Sequence, residues 1–405
     1  MAMKKAAFHN LGCKVNYYET EAMLQSLEEN GYQIVDFEDK ADIYIVNTCS
    51  VTNMADRKSR QMLHKAKKNN PEAVVVAVGC YVQAVGEQIL KDNGVDIAIG
   101  NDQKGELSEI LRKYFDENGE AFMVEDLKRP RCYENISIVR EDNHTRAYIK
   151  VQDGCNQFCT YCIIPYARGR VRSRREEDII REIEGLVASG YQEIVLTGIH
   201  ISSYGIDFAG KKSYQGENYL IDLVEHIHAR VEGLKRIRLG SLEPRIITED
   251  VAKRLAALPK LCPHFHLSLQ SGCDETLKRM NRHYTTGEYL QGVRYLRQAF
   301  KRVAITTDVI VGFPGETEAE FEDTLRLVEQ VGFDALFTFI YSPREGTPAA
   351  TMPDPFTRAE KQKWFDRLLE AQNRISQEKH NAYVGRTLRV LVDGADGEFL
   401  TARTD

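Results

Sequence analysis

No apolar run in the sequence is long enough to cross a bilayer. The longest, Ala73–Val82, is interrupted by Gly79 and falls far short of the ~20 residues that a membrane helix needs. Residues Met1–Asn10 carry two lysines but no apolar core of signal-peptide length. The chain therefore reads as a soluble, cytoplasmic protein without a membrane partner. A surplus of positive charge is missing as well. Lys and Arg number 54 against 60 Asp and Glu, giving a net charge of −6. This weighs lightly against a nucleic-acid partner, because phosphate binding draws on Lys and Arg; where charges lie matters more than their sum. With 42% apolar and 28% charged residues, a mainly disordered or collagen-like chain is excluded. The length of 405 residues suggests two or three domains.

An even set of cysteines is also lacking. Nine are present, at positions 13, 49, 80, 132, 155, 159, 162, 262 and 273. An odd number in a large chain without an export signal argues against a disulfide framework, so metal binding or redox chemistry becomes the first question.

Three apolar runs near the N-terminus each close on a cysteine: Ala6-Ala7-Phe8 ahead of Gly12-Cys13, Ile43–Thr48 ahead of Cys49, and Val74–Gly79 ahead of Cys80. Short β-branched runs of this kind read as buried parallel strands. Helical patterns at Tyr18–Asn30 and Asp56–Lys68 lie between them, so residues 1–130 read as an open α/β domain. Ligands of such domains collect at the carboxyl ends of the strands, which puts the three cysteines on one rim. After a charged stretch, Glu125–Arg131, six strand patterns begin at 147, 193, 236, 265, 304 and 335, separated by helical segments such as Glu176–Ser189, Tyr219–Val231 and Thr317–Val331. Six βα units over residues 140–375 form a partial or complete barrel with its site at the C-terminal rim. A helix over Thr357–Tyr383 and a short strand pattern at Thr387–Val392 follow.

The densest chemical signal is Cys155-Asn156-Gln157-Phe158-Cys159-Thr160-Tyr161-Cys162, a C-x3-C-x2-C run after the first strand of the second series. A structural zinc site takes four ligands, and no fourth Cys or His lies in this loop. Ferredoxin-type runs have regular C-x2-C spacing with a further Cys before Pro, whereas Pro165 here follows two isoleucines. Three thiolates leave one iron of a 4Fe–4S cluster open to a substrate. The N-terminal trio suits a second cluster on the same grounds, since soft thiolates select iron–sulfur chemistry. Any one of those cysteines alone could be a small buried hydrophobe. Cys132, Cys262 and Cys273 fit neither set.

Cys155, Cys159 and Cys162, with Tyr161 before the last, resemble the signature of radical S-adenosylmethionine (SAM) enzymes. Together with Ile163–Arg174 and with Cys13, Cys49 and Cys80, the chain resembles the methylthiotransferase branch of that superfamily. The stretch Leu11-Gly12-Cys13-Lys14-Val15-Asn16, followed by Tyr18-Glu19-Thr20-Glu21, is most similar to enzymes acting on threonylcarbamoyladenosine in tRNA. Sister branches act on isopentenyladenosine or on a ribosomal protein. The resemblance implies an N-terminal methylthiotransferase domain, a radical SAM (βα)6 barrel and, from Val384-Gly385-Arg386-Thr387-Leu388-Arg389-Val390, the opening of a small RNA-binding β-barrel (TRAM) over 384–405. It implies two 4Fe–4S clusters, one open to SAM and one carrying the sulfur to be transferred, together with a one-electron donor such as flavodoxin or ferredoxin and a sulfur donor.

For SAM contacts the strand ends are the expected places. Thr197-Gly198 resembles the glycine-containing segment near the SAM amino group. Ser241, Glu243 and Gln270 end the third and fourth strands, and Gly312 and Pro314 follow the fifth, where close approach of adenine would explain the glycine. Tyr161 joins them by resemblance. His200 reads as a satisfied loop histidine ahead of a ligand or polar contact. For RNA, Arg168, Arg170, Arg172 and Arg174 form a basic run beside the cysteine loop, with Arg175 next to it. Arg57, Lys58, Arg60, Lys65, Lys67 and Lys68 form a second group after Cys49. A helix bearing Lys and Arg is often only a solvated face; beside a cluster it suits RNA phosphates. From a different functional class, the same residues are also compatible with a zinc-stabilised RNA-binding protein without catalysis.

Overall fold

The computed structural model describes residues 3–91, 94–117, 121–127, 132–140, 145–208 and 218–405. It resolves into two compact units. The first comprises Met1–Glu141, Lys150–Asn156 and Cys162–Glu182; the second comprises Asp142–Ile149, Gln157–Tyr161 and Ile183–Asp405. Part of the charged stretch that leads to the second series, residues 128–131, lies outside the described residues.

The first unit opens with β1 (Lys5–Asn10), α1 (Lys14–Glu29), β2 (Gln33–Val35), β3 (Ile43–Thr48), α2 (Asn53–Asn69), β4 (Val74–Gly79), α3 (Cys80–Val85), β5 (Ile97–Ile99), α4 (Leu107–Glu117) and β6 (Phe122–Met123). The strands form one sheet in the order β2-β1-β3-β4-β5-β6, with every pair parallel. Alternation along the strands divides the core in two. Ala7, Tyr44, Val46, Val75, Ala77 and Ala98 face Leu63 and Ala66 of α2. Ala6, Ile43, Ile45, Val76, Val78, Ile97 and Ile99 face Met23 and Leu27 of α1 and Leu107 and Leu111 of α4. Helices on both faces keep β3 and β4 almost wholly buried, which is why they read as continuous apolar runs rather than alternating ones. The three strands expected from the sequence are present. The short β2, β5 and β6 were not foreseen, being only two or three residues long.

The chain continues through β7 (Arg146–Asp153), α5 (Ile164–Arg168), β8 (Arg172–Ser173) and α6 (Glu176–Ala188). Residues 150–156 and 162–182, which periodicity assigns to the second series, belong to the first unit. The cause is ionic. Lys150, Asp153 and Arg168 share a buried charge lattice with Glu19 of α1.

The second unit contains β9 (Glu193–Gly198), α7 (Tyr219–Arg230), β10 (Arg236–Leu239), α8 (Glu249–Ala256), β11 (His264–His266), α9 (Asp274–Arg279), α10 (Thr286–Ala299), β12 (Ala304–Val311), α11 (Glu318–Val331), β13 (Ala335–Ile340) and α12 (Arg358–Asn381). β9 and β10 are parallel, as are β11, β12 and β13. Bridges Ile237–Leu261 and Leu242–Leu267 join the two groups. This is the βα repeat expected of an incomplete barrel. Helices α10, α11 and α12 each start with a Thr and Glu closing a capping box, a sequence-encoded start signal. The tail pattern becomes an antiparallel hairpin, β14 (Val390–Asp396) and β15 (Phe399–Thr404). Arg236 and Arg238 donate to its carbonyls, Arg236 Nη1 to Arg403 O at 2.9 Å and Arg238 Nη2 to Thr404 O at 2.6 Å.

Candidate metal centres and cofactor rim

The sheet order places a reversal between β1 and β3, and in doubly wound folds the ligand lies at that switch point. Cys13 follows β1, Cys49 follows β3 and Cys80 follows β4. Cys49 packs against the turn that carries Cys13: an added Cβ on Gly12 would lie 3.0 Å from Cys49 Cβ and 3.1 Å from its sulfur. Burial first, then the neighbouring Cys80 and Cys13, push the Cys49 thiol up to about 11. Protonated thiols bind metal poorly, so a positive partner is needed to hold them as thiolates.

Arg168, which has no exposed surface, opposes the rise at Cys13 and Cys49 without offsetting burial. Burial alone would lower its affinity for the proton; Cys80, Glu19 and Asp153 reverse this and hold the guanidinium charged. Its Nη1 donates to Glu19 Oε1 at 2.9 Å and to Asp153 at 3.1 Å, and its Nη2 donates to Asn16 Oδ1 at 2.8 Å. Lys104 and Lys150 also pair with Glu19, Lys150 with Asp153, and Arg172 with Asp102. The Arg168 Nε, buried, makes no hydrogen bond. Lys104, Lys150, Arg168 and Arg172 are thus each paired with Glu19, Asp102 or Asp153 in one lattice, and Glu134 also interacts with Lys104 and Lys150. The donor set fits an anionic iron–sulfur cluster. Among the described residues no three His, Cys, Asp or Glu side chains are grouped for a single metal ion; a four-iron cluster binds each thiolate to a different iron and spaces them more widely.

The second cysteine set lies on the loop after β7. Cys155 and Cys159 are buried and Cys162 is half-buried. In the first unit, Cys155 N donates to Gly169 O at 3.0 Å. Gly154 takes φ +70°, and a Cβ there would collide with the Arg170 carbonyl, so only glycine lets the strand turn into the loop. In the second unit, the segment after α9 clamps the loop. Thr160 N donates to Met280 O at 3.0 Å, and Asn281 Nδ2 to Phe158 O at 3.0 Å. Arg282 Nη1 donates to Cys159 Sγ at 3.4 Å and Nη2 to Glu243 Oε2 at 2.9 Å. Neither Asn281 nor Arg282 was foreseen. Their signal, Met280-Asn281-Arg282-His283-Tyr284, is a polar turn with no metal-ligand spacing.

Apart from Tyr161, the expected SAM contacts fall at or just past strand ends of the second unit. Thr197 is buried and Gly198 half-buried at the end of β9, while Ser241 is exposed past β10. Glu243 is buried; although burial opposes it, His200 and Arg282 hold its carboxyl below the usual range. His200 thus has partners in Glu243 at 3.4 Å and Ser203 at 2.7 Å, as a loop histidine. Gln270 adopts φ 68° and joins β12 through its backbone, N to Asp308 O and O from Ile310 N, both 2.8 Å. The Tyr161 ring stands edge-on to Phe313 at 6.4 Å. Pro314 is buried. Gly312 has φ +68° with the Lys361 stem where a Cβ would stand, so packing already demands glycine there without adenine. Glu316 Oε2 accepts from Gly312 N at 2.5 Å and Phe313 N at 3.0 Å, holding this turn.

Three of the four arginines expected on RNA are unavailable to it. Arg168 lies in the lattice above. Arg172 is 5% exposed and paired with Asp102; Arg174 is 2% exposed and paired with Glu182. A guanidinium buried against carboxylates presents no edge at the surface to a phosphate. Arg170 and Arg175 are exposed, as are Arg57, Lys58, Arg60 and Lys68 on α2, whose buried stripe is only Ser59, Leu63 and Ala66.

With this geometry, the comparisons with known proteins agree. A radical SAM superfamily profile matches residues 149–328, and one described as uncharacterized protein family UPF0004 matches residues 5–100. The chain is 41% identical, over 97% of its length and 86% of the other's, to the threonylcarbamoyladenosine tRNA methylthiotransferase MtaB of Bacillus subtilis. It is 40% identical, over 97% of its length and 88% of the other's, to a tRNA-2-methylthio-N(6)-dimethylallyladenosine synthase of Moorella thermoacetica. The radical SAM methyltransferase TsrM of Kitasatospora setae superposes with a TM-score of 0.62 at 16% identity, over 97% of this chain and 79% of that one, a likeness of fold. The fold and the two cysteine sets define a radical SAM enzyme. More narrowly, the chain belongs to the radical SAM tRNA methylthiotransferases.

Two outcomes test the electrostatics. Arg168→Met strands two buried carboxylates and should cost about 3–5 kcal/mol, read as a lower urea midpoint; Glu19→Gln in the same chain should recover part of it, and additive losses would refute the coupling. The second concerns Glu316, whose carboxyl burial raises to about 7. A raised folded value means stability present below the unfolded value of 4.5 and lost as pH climbs through about 7. The thermal midpoint of Glu316→Gln, relative to the parent, should therefore rise between about pH 5 and pH 8, and a flat difference would contradict the assignment.

Proposed function

We propose that this enzyme installs a methylthio group at C2 of N6-threonylcarbamoyladenosine at tRNA position 37, beside the anticodon. One observation carries the reading: two cysteine trios at strand ends occur in a chain 41% identical, across 97% of its length, to a protein named for that activity. Cys13, Cys49 and Cys80 would hold one 4Fe–4S cluster, and Cys155, Cys159 and Cys162 the other, open to SAM. When bound, these groups supply one-electron reduction of SAM, the radical it yields and the sulfur to be methylated and transferred. The chain's own residues set the stage. Arg168 opposes the rise that burial imposes on the N-terminal thiols Cys13 and Cys49, and Arg282 sets a guanidinium against Cys159. Thr197, Gly198, Glu243, Gln270, Gly312 and Pro314, at successive strand ends, form the SAM rim with Tyr161; Ser241 extends it outward.

The exposed basic face of α2 and Arg170 would meet RNA phosphates. An anticodon-loop base is already unpaired, so presenting its C2 edge costs less than flipping it from a duplex. The enzyme would work in the cytoplasm, with a flavodoxin or ferredoxin as electron donor and a separate sulfur donor. The relative from Moorella keeps a second reading open, methylthiolation of an isopentenyl-type adenosine.

Mass spectrometry of tRNA nucleosides from a strain lacking the gene separates them. Loss of the methylthio group from threonylcarbamoyladenosine alone is expected; its loss from the isopentenyl-type nucleoside supports the second reading, and unchanged tRNA refutes both. Protein reconstituted without oxygen should hold about eight irons, falling to about four in Cys13→Ala. About four irons in both would overturn the two-cluster arrangement.

A further inference from the structure

Two amide side chains stand beside the N-terminal thiols: Asn16 by its oxygen, Asn101 by its nitrogen and, less closely, its oxygen. Asn16 donates through Nδ2 to the carbonyls of Leu11 at 2.8 Å and Thr48 at 3.0 Å. Its oxygen takes Arg168 Nη2 at 2.8 Å and lies 3.8 Å from Cys13 Sγ. An oxygen gives nothing to a thiolate, which only accepts. Asn101 differs in bringing its nitrogen to a sulfur as well. Its Nδ2 donates to Ala167 O at 2.7 Å and lies 3.4 Å from Cys80 Sγ. Its Oδ1 accepts from Lys104 Nζ at 3.1 Å and lies 3.7 Å from the same sulfur. Amide orientation is set by partners at both ends: Lys104 can only donate and the Ala167 carbonyl can only accept, so the atom nearer the sulfur, at 3.4 Å, is the NH2 nitrogen and the one at 3.7 Å the oxygen.

Lys104 cannot turn away. It has no exposed surface and is ion-paired with Glu19. Asn101 is 1% exposed, and its N donates to Gln83 Oε1 at 3.2 Å. It follows β5 directly after Gly100, on the strand beside the one that delivers Cys80. The sequence carries the signal: Ile97-Ala98-Ile99-Gly100-Asn101 repeats the design of Val76-Ala77-Val78-Gly79-Cys80, with Asn in place of Cys.

We propose that Asn101, oriented by Lys104, is a positioning residue that donates an N–H···S hydrogen bond to the Cys80 thiolate and thereby raises the reduction potential of the N-terminal cluster. Hydrogen bonds to ligand sulfurs stabilise the extra negative charge of the reduced cluster. The backbone N–H groups of Asn16 and Val51 serve Cys13 and Cys49. Cys80 is the sulfur served by a side-chain amide, so its donor alone can be altered by substitution with the backbone left in place. The inference rests on the reading that the N-terminal trio holds a cluster.

The test uses the full chain with Cys155, Cys159 and Cys162 replaced by Ala, so that only the N-terminal cluster is loaded, and follows its reduction by EPR at set potentials. Asn101→Asp keeps the shape but replaces the donor with an acceptor. At a fixed potential its reduced-to-oxidised ratio should fall at least about tenfold, a shift of about 59 mV for one electron. A ratio equal to that of the parent, at equal iron content, overturns the proposal. If Asn101→Asp takes up less iron than the parent, Lys104→Met is measured instead. That change removes the group fixing the amide, and the same fall supports the role while an unchanged ratio overturns it. No iron in the triple-Ala parent would instead refute the N-terminal cluster itself.

Discussion

A carboxylate with no contact with water must be neutralised where it stands, and Glu19 is such a group. It sits on α1 with 0% exposure and draws in Lys104, Lys150 and Arg168, residues far apart in sequence. Their charges oppose the rise that burial would impose and hold the Glu19 carboxyl well below its usual range. An ion lattice of this kind adds little net stability over a hydrophobic equivalent, but it tolerates no missing member. That intolerance fixes where the end of β7 and α5 can lie, and so fixes Cys155, which follows Asp153 after a single glycine. The electrostatics of the N-terminal thiols and the first cysteine of the second set therefore share one buried centre, within one compact unit.

The backbone contributes the other half of the arrangement. Parallel strands end in register, so a residue directly after each strand stands on a common rim. Cys49 and Cys80 follow β3 and β4 at once, and Cys13 follows β1 after the turn Leu11-Gly12. Cys13 also stands at the N-cap position of α1, with φ −87° and ψ 176° and no side-chain cap bond, where the helix dipole opposes the rise that burial imposes on its thiol. Cysteine placement is thus a matter of strand length and turn length. Charge placement is a matter of long-range burial.

That difference explains what was legible beforehand. Strand ends follow local patterns, so the two cysteine trios and the strand-end candidates for SAM could be picked out by position, and β9 and β12 fall on the expected residues. Arg168, Arg172 and Arg174 could not be judged this way. Alternating arginines look the same in sequence whether they face solvent or carboxylates that arrive from Glu19, Asp102 and Glu182. The stretch Tyr18-Glu19-Thr20 carries the same ambiguity: in sequence it reads as part of a family signature, and the fold shows all three side chains buried. The clamp at Asn281 and Arg282 was hidden for a related reason. It acts through carbonyls and one sulfur, with no ligand spacing to betray it.

The net charge of −6 is a poor guide to this molecule because its cations are divided between two tasks. Arg168, Arg172, Arg174, Lys104 and Lys150 are consumed inside, where each is matched by a carboxylate and projects little field outward. Arg57, Lys58, Arg60 and Lys68 remain outside on α2, whose buried stripe is too narrow to involve them. A long-range attraction for phosphate depends only on the second group. Screening over about 10 Å at ordinary salt makes that attraction local to α2 and the neighbouring exposed residues, whatever the sum over the chain. A mildly acidic protein can therefore still present a basic helix face to RNA, because the field a phosphate meets is set by the few cations within a screening length of it.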